Sequence, residues 1–345
     1  MSPPTLFNPY RFVTGSAIGG WKELDRDELT GTSDTITVSG FASKPYLLNL
    51  GFTIADGGVI NASLRMGNGS VDAGANYAYR KSLNFGADST ATNQNEIVSD
   101  SIGANLDEFK TTWISNYAST EKSTIALNVS NDGRTTSTET TCCEVVGKWD
   151  DATNQADEFQ IYKSTGGGAF GAESISLLLG YDGADADTGG FFEELADSGA
   201  ASGSALELDS GTFTPKRFLF FEISNNGNST GNDKQFRFNS DSGSNYCWRG
   251  QTNNTSVSTA KGETATRIGL DQNTDTASYG FIYNATDYVK IGMCWGIKNA
   301  GTATDQTLYT FKWVNTVDQI TSIQLRAEGV ANIGAGTVLK VWGGD

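Results

Sequence analysis

The strongest constraint on the fold is an internal duplication. GGWKEL (19–24) recurs as GGFFEEL (189–195), and SGFASKPYLLNL (39–50) as SGTFTPKRFLFF (210–221). LRMGNGSVDAGANYAYR (64–80) recurs as FRFNSDSGSNYCWR (236–249), and TTWISN (111–116) as YGFIYN (279–284). GKW (147–149) recurs as FKW (311–313), and FGAESISLLLGYDG (170–183) as IGAGTVLKVWGGD (333–345). The matches keep their order, and their offsets stay between 172 and 163 residues. A long collinear repeat means one structural unit used twice.

The 345-residue chain therefore divides into repeat 1 (19–182), an acidic linker (183–188) and repeat 2 (189–345), preceded by an arm (1–18) without a counterpart. Segments such as PYLLNLGFTI, STIALNVS, RFLFFEIS and TVLKVWG are short, apolar or alternating, and rich in β-branched and aromatic residues. Gly, Asn, Asp and Ser clusters punctuate them. FGAESISLLLG reads locally as a helix, but its twin IGAGTVLKVWG has the content of a strand. The expectation is all-β: two tandem homologous sandwiches, jelly-roll-like, with eight or so strands each, behind an extended N-terminal arm.

Composition removes several chemistries. The chain has no histidine, which excludes Ser-His-Asp and Cys-His catalysis and every histidine metal site. Its four cysteines, Cys142, Cys143, Cys247 and Cys294, fit neither a disulfide framework nor a zinc pattern and read as buried thiols. A formal charge of −16 disfavours nucleic acid and anionic membrane as partners. The start MSPPTLFNPYRFVTG lacks the pattern of a secretory signal, and no apolar run is long enough to span a membrane as a helix. Forty acids leave room for a glycosidase carboxylate pair, but no spacing marks one. The expectation is a non-enzymatic protein without a cofactor.

GGWKEL, the stretch ending DAGANYAYR, GADSTA (86–91), GKW and FGAESISLLLG in repeat 1 resemble a family of structural proteins of tailed bacteriophages and related environmental viruses. So do GGFFEEL, FRFNSDSGSNYCWR, FKW with ITSIQL (320–325), and IGAGTVLKVWG in repeat 2. The resemblance covers nearly the whole chain after the arm. It implies a virion surface or appendage protein, made in the host cytoplasm, whose partners are other virion proteins and copies of itself. Capsid decoration or stabilisation, or another virion-surface role such as a fibre or tail module, is what it implies, with no catalytic residue. Repeat 1 departs from the pattern by three extra residues between Arg65 and Asn76, and repeat 2 has TNNTSVSTA (252–260) in place of GADST.

The shared order Asp-x-Gly-x-Asn-Tyr-x-aromatic-Arg reads as a hairpin whose Asp and Asn serve the turn backbone. The same residues admit a second reading, an aromatic shelf for host glycans built from Tyr77, Tyr79, Arg80, Tyr246, Trp248 and Arg249, as in a carbohydrate-binding or adhesion module. A third reading is an extracellular filament subunit whose arm adds a strand to its neighbour. In the arm, Pro3, Pro4, Leu6, Phe7, Pro9, Tyr10 and Phe12 suit an extended segment lying on a neighbouring subunit. Asp182, Asp185 and Asp187 could offer oxygens to calcium, as could Asp25, Asp27 and Glu28, but neither set has EF-hand spacing. The glycine runs STGGGAFG and NIGAGT lack the Lys-Ser/Thr of a phosphate loop and read as turns.

Overall fold

The structure, a computed structural model, describes residues 20–185, 189–226, 233–253, 256–269, 275–300, 303–329 and 331–345. The expected arm contacts (Pro3, Pro4, Leu6, Phe7, Pro9, Tyr10, Phe12) and Asp187 lie outside the described residues.

The described chain is all-β. The first copy carries β1 (Lys22–Glu28), β2 (Thr35–Ser39), β3 (Tyr46–Asp56), β4 (Ile60–Gly67), β5 (Tyr77–Leu83), β6 (Asp88–Gln94) and β7 (Ile97–Ile102). It continues with β8 (Asp107–Ser115), β9 (Lys122–Ser130), β10 (Thr141–Trp149), β11 (Glu158–Gly166), β12 (Ala169–Phe170) and β13 (Ile175–Tyr181). The second copy carries β14 (Glu193–Asp197), β15 (Glu207–Asp209), β16 (Phe218–Asn226), β17 (Lys234–Phe238), β18 (Tyr246–Thr252) and β19 (Ser256–Glu263). It closes with β20 (Thr266–Gly269), β21 (Asp275–Tyr283), β22 (Lys290–Ala300), β23 (Ala303–Trp313), β24 (Ile323–Ala327) and β25 (Val338–Gly344). This exceeds the eight or so strands expected per copy. The excess consists of short polar strands such as β6, DSTATNQ, which is held by backbone pairing to β5 and carries no apolar signal.

Strand order repeats from copy to copy. The large sheets run β1-β13-β3-β8-β9-β10-β5-β6, with β12 on β3, and β14-β25-β16-β21-β22-β23-β18-β19. The small sheets run β2-β11-β4-β7 and β15-β24-β17-β20. A buried asparagine anchors each copy in the same way. Asn116 Nδ2 donates to the carbonyls of Lys44 and Ala156, and Asn284 Nδ2 to those of Lys216 and Ile320. Lys44 thus matches Lys216, one residue further on than the sequence match at 39–50 implied.

Each large sheet faces its own small sheet across an apolar core. One core contains Ile36, Leu47, Leu64, Ile114 and Phe159, and the other Leu219, Phe236, Ile282, Phe311 and Leu325. The opposite faces of the two large sheets pack on each other in a third core. Leu48, Leu50, Phe52, Phe109 and Trp113 meet Phe218, Phe220, Phe281, Tyr283 and Met293 there. The molecule is therefore four sheets deep. Strands of the large sheets are covered on both sides, which is why β3 and β8 are buried almost without interruption. Alternation assigns the faces: Phe109 and Trp113 point to the partner sheet, Ile114 to its own sandwich.

Phe52 stacks on Tyr283 at 3.8 Å between centroids, and Phe109 lies 6.4 Å from Phe218. Polar struts close the rim. Arg217 grips Glu28 with two hydrogen bonds of 2.9 and 2.7 Å, and Tyr288 donates to Glu173 at 2.8 Å. The loop 131–140 between β9 and β10 lies on the second copy. Lys312 donates its ammonium to the carbonyls of Asn131 (2.5 Å) and Gly133 (2.7 Å), and Thr140 meets Thr310 at 2.8 Å.

Candidate functional site

The repeated hairpin forms one closed polar unit in each copy. Asp72 accepts from Gly74 N (2.7 Å), Asn76 Nδ2 (2.8 Å) and Trp149 Nε1 (2.8 Å). Asp241 accepts from Gly243 N (2.8 Å), Asn245 Nδ2 (2.9 Å) and Trp313 Nε1 (2.7 Å). Burial works to raise both carboxyls, yet these bonds to the charged form outweigh it and hold both below the usual aspartate range. The Tyr77 hydroxyl receives Met66 N and donates towards the carbonyls of Met66 and Asp72; Tyr246 does the same with Phe238 and Asp241. The tryptophans of GKW and FKW thus belong to the same unit as the Asp-x-Gly-x-Asn-Tyr motif. It ties the turn to β10 or β23 and places the tyrosine ring in the core.

That geometry leaves no aromatic shelf. Tyr77 and Tyr246 are 1% and 0% exposed, and Trp248 is 6% exposed beneath the Arg267 guanidinium. Tyr79 packs against its own sandwich core. Arg80 pairs with Asp88 across the β5–β6 hairpin (Nε–Oδ2 2.7 Å). Arg249 reaches the other copy, donating to Thr140 O at 2.8 Å beside Glu139.

The acidic candidates disperse as well. Asp182 caps its own turn through Ala184 N, and Asp185 pairs with Lys44 at 2.7 Å. Asp27 accepts from Thr37 N, while Glu28 is held by Arg217. Among the described residues no group of three or more His, Cys, Asp or Glu side chains is arranged to hold a metal ion. All four cysteines are free and buried.

A cleft that unites both copies was not legible in the sequence. It encloses about 410 Å³ and is lined by Arg80, Ser82, Asp88, Glu144 and Val146 of the first copy and Gln251 and Gln306 of the second. Glu144 stands opposite Leu127 and Gln251 opposite Leu308, both in the shared core, so both side chains face the joint between the sheets. The β5–β6 turn closes one end. Phe85 is held there in the left-handed region (φ 61°), unusual for a bulky residue, and its ring enters the shared core. Asn84 fixes this turn by exchanging hydrogen bonds with the Cys142 backbone, as Asn253 does with Gln306.

Among the described residues nothing hydrogen-bonds the side chains of Glu144, Gln251 or Gln306, although Gln251 is only 7% exposed. Burial, then the nearby Asp88 charge, push the Glu144 carboxyl above the usual glutamate range. The formal charges of Arg80 and Asp88 cancel. Lys81, Ser82, the Glu144 carboxyl and two amides complete the polar lining, beside an exposed aliphatic wall of Val146 and its cross-strand neighbour Ile125.

No protein-family model matches the chain, and no curated protein matches it. Among solved structures, domains LG4-5 of the mouse laminin alpha1 chain align over 95% of this chain and 90% of that one, at 8% identity and a TM-score of 0.18. The COG4313 outer membrane channel from Pseudomonas putida F1 aligns over 80% and 97%, at 10% identity and a TM-score of 0.13. Likenesses this slight carry no argument.

Proposed function

We propose that the chain is a non-enzymatic structural protein of a virus particle, acting through assembly contacts as a capsid-decorating or other surface component. The observation that carries this reading is the joining of two like sandwiches through matching faces. A duplicated chain of this kind does the work of two subunits and meets local symmetry with fewer chains. The motif that most resembled chemistry serves the scaffold in both copies.

The sheet edges add support. Edge strands β1 and β14 are charged and bulged, features that discourage further pairing. Edge strand β6 is bulged against β5 as well, but it carries a single charged residue, Asp88, and is the large-sheet edge least guarded by charge against an added strand. A proline-rich aromatic arm from a neighbouring copy has suitable chemistry for such a contact, and this also serves a filament subunit.

Quantitative mass spectrometry of purified particles from the producing culture tests the reading. A copy number matching a capsid lattice supports decoration, and a few copies per particle support a fibre or tail module. Absence from particles overturns it.

A second reading, recognition of host glycans, moves from the aromatic shelf to the cleft between the copies. The unpaired, buried Gln251 favours it, because amide groups that can both donate and accept suit the hydroxyls of a neutral sugar. A glycan array with the wild type and Gln306→Ala decides. Saturable binding lost in the variant supports this reading, and no binding to any neutral glycan ends it.

A further inference from the structure

The core of the first copy holds three reactive side chains that the second copy lacks. Glu108, Lys110 and Asn128 are each 0% exposed. Lys110 and Asn128 are direct partners across β8 and β9, so their Cβ atoms lie roughly 5 Å apart on the same inward face. That face also carries Ile114 and Ala126, and it looks into the apolar interior of the sandwich.

Lys110 Nζ lies 2.6 Å from Glu108 Oε1, without the angles of a hydrogen bond. Neither Nζ, nor either Glu108 oxygen, nor either amide atom of Asn128 has a hydrogen-bond partner among the described residues. A charged pair and an unsatisfied carboxamide sealed in one core are costly. The glycine beside them is shaped to the lysine: a Cβ on Gly51 would lie 2.8 Å from Lys110 Cγ.

We propose that Lys110 and Asn128 become joined by an intramolecular isopeptide bond, with Glu108 as the proton carrier. Proton transfer from Nζ to the Glu108 carboxylate leaves both groups neutral and frees the amine lone pair. The lysine swings from above Gly51 towards β9, and Nζ attacks Cγ of Asn128. The protonated Glu108 then gives its proton to Nδ2. The Cγ–Nδ2 bond breaks, one ammonia leaves, and Nζ–Cγ becomes an amide after loss of its extra proton to Glu108. Nothing is oxidised or reduced, and no co-reactant is needed.

The folded strands hold amine and carboxamide together, replacing a collision with a side-chain rotation. The dry core keeps water from competing for Cγ. The product has no charged lysine, and it removes the unsatisfied carboxamide nitrogen.

The second copy is an internal control. Asn116 matches Asn284, and the Lys110↔Asn128 pair matches Ser278↔Gly296, with Thr276 in the place of Glu108. None of the three positions retains the chemistry, so one bond is expected per chain.

Intact-mass spectrometry of the purified full chain tests the proposal. The expected mass is lower than that of the sequence by one ammonia, and trypsin fails to cut after Lys110, releasing a branched peptide that joins 110 to 128. Glu108→Gln, Lys110→Met and Asn128→Ala each restore the full mass. Unmodified mass in the folded wild type, confirmed after prolonged incubation, overturns the proposal without recourse to any variant. So does an ammonia loss that persists in Lys110→Met.

Discussion

The rings of Trp113 and Phe281 meet at 6.0 Å in the shared core, and the two residues occupy the same position in their respective copies. Each lies three residues before its anchoring asparagine, Asn116 or Asn284, and each is paired with β3 or β16 at matching sites, Leu48 or Phe220. Contact between equivalent positions is what a two-fold pair of subunits shows at its axis. Here the pair is covalent. The rim contacts differ on the two sides, since the loop 131–140 covers Lys312 while β22 and β23 form a long, closely paired hairpin.

This contact predicts one cooperative unfolding transition rather than two. Phe52→Ala removes a fully buried ring stacked on Tyr283 and is expected to cost about 3–5 kcal/mol. A double-mutant cycle on Trp113→Ala and Phe281→Ala should give a coupling of about 0.5–1.5 kcal/mol. Urea denaturation followed by tryptophan fluorescence and circular dichroism reads both. Two separated transitions in the wild type would show that the copies unfold independently.

The hairpin unit predicts matching losses in both copies. Asp72→Ala or Asp241→Ala leaves an indole N–H, an amide and a backbone N–H without their acceptor, and each should destabilise by about 1–3 kcal/mol. The folded carboxyls sit below the ordinary aspartate range, so their contribution is complete above an unfolded value of about 3.9 and is lost as the pH falls through the lower folded value. Asp→Asn at both sites should therefore flatten the acid limb of a stability–pH curve. An unchanged limb would mean that other carboxylates control it.

Much of this was legible in the sequence, and the reason is local. The Asp-x-Gly-x-Asn-Tyr order encodes a turn whose bonds lie within eleven residues, apart from the tryptophan, 77 residues on in the first copy and 72 in the second. Duplication made it visible and separated it from chemistry. The docking of the copies was not legible. A strand such as YLLNLGFTIAD is apolar on both faces whether its second cover is a helix, a partner chain or its own repeat. Gln251 and Glu144 are ordinary polar strand residues until the sheets meet. In EFKTTW the alternation of Glu108 and Lys110 with Phe109 suggests a solvent face, yet the charged side looks into the sandwich.

Alkaline pH should first strengthen and then weaken the fold. Burial holds Lys290 at about 8, although it donates to the carbonyls of Tyr288 and Asn315. Between that value and an unfolded value of about 10.4, the unfolded chain binds more protons at this site, so stability rises with pH. Burial raises Tyr279 and Tyr309 to about 12. Above an unfolded value of about 10 the folded chain holds those protons and the unfolded chain does not, so stability falls. Denaturation midpoints at pH 7, 9 and 11 test the sequence of signs, and Lys290→Met should remove most of the rise. A monotonic fall from pH 7 would contradict the lysine assignment.

The twin lysines of GKW and FKW should respond differently to the same substitution. Lys148 is exposed and pairs with Glu121, an arrangement that solvent screens. Lys312 is buried, and its ammonium holds the carbonyls of Asn131 and Gly133 across the joint between the copies. Lys312→Met strands those carbonyls and loosens the loop 131–140, at an expected cost of about 1.5–3 kcal/mol for bonds to a charged donor. Lys148→Met should leave the midpoint where it was. Hydrogen exchange locates the effect: faster exchange confined to 131–140 identifies the lysine as the clasp between copies. Equal losses in the two variants would mean that the position matters to the sandwich itself and not to the joint.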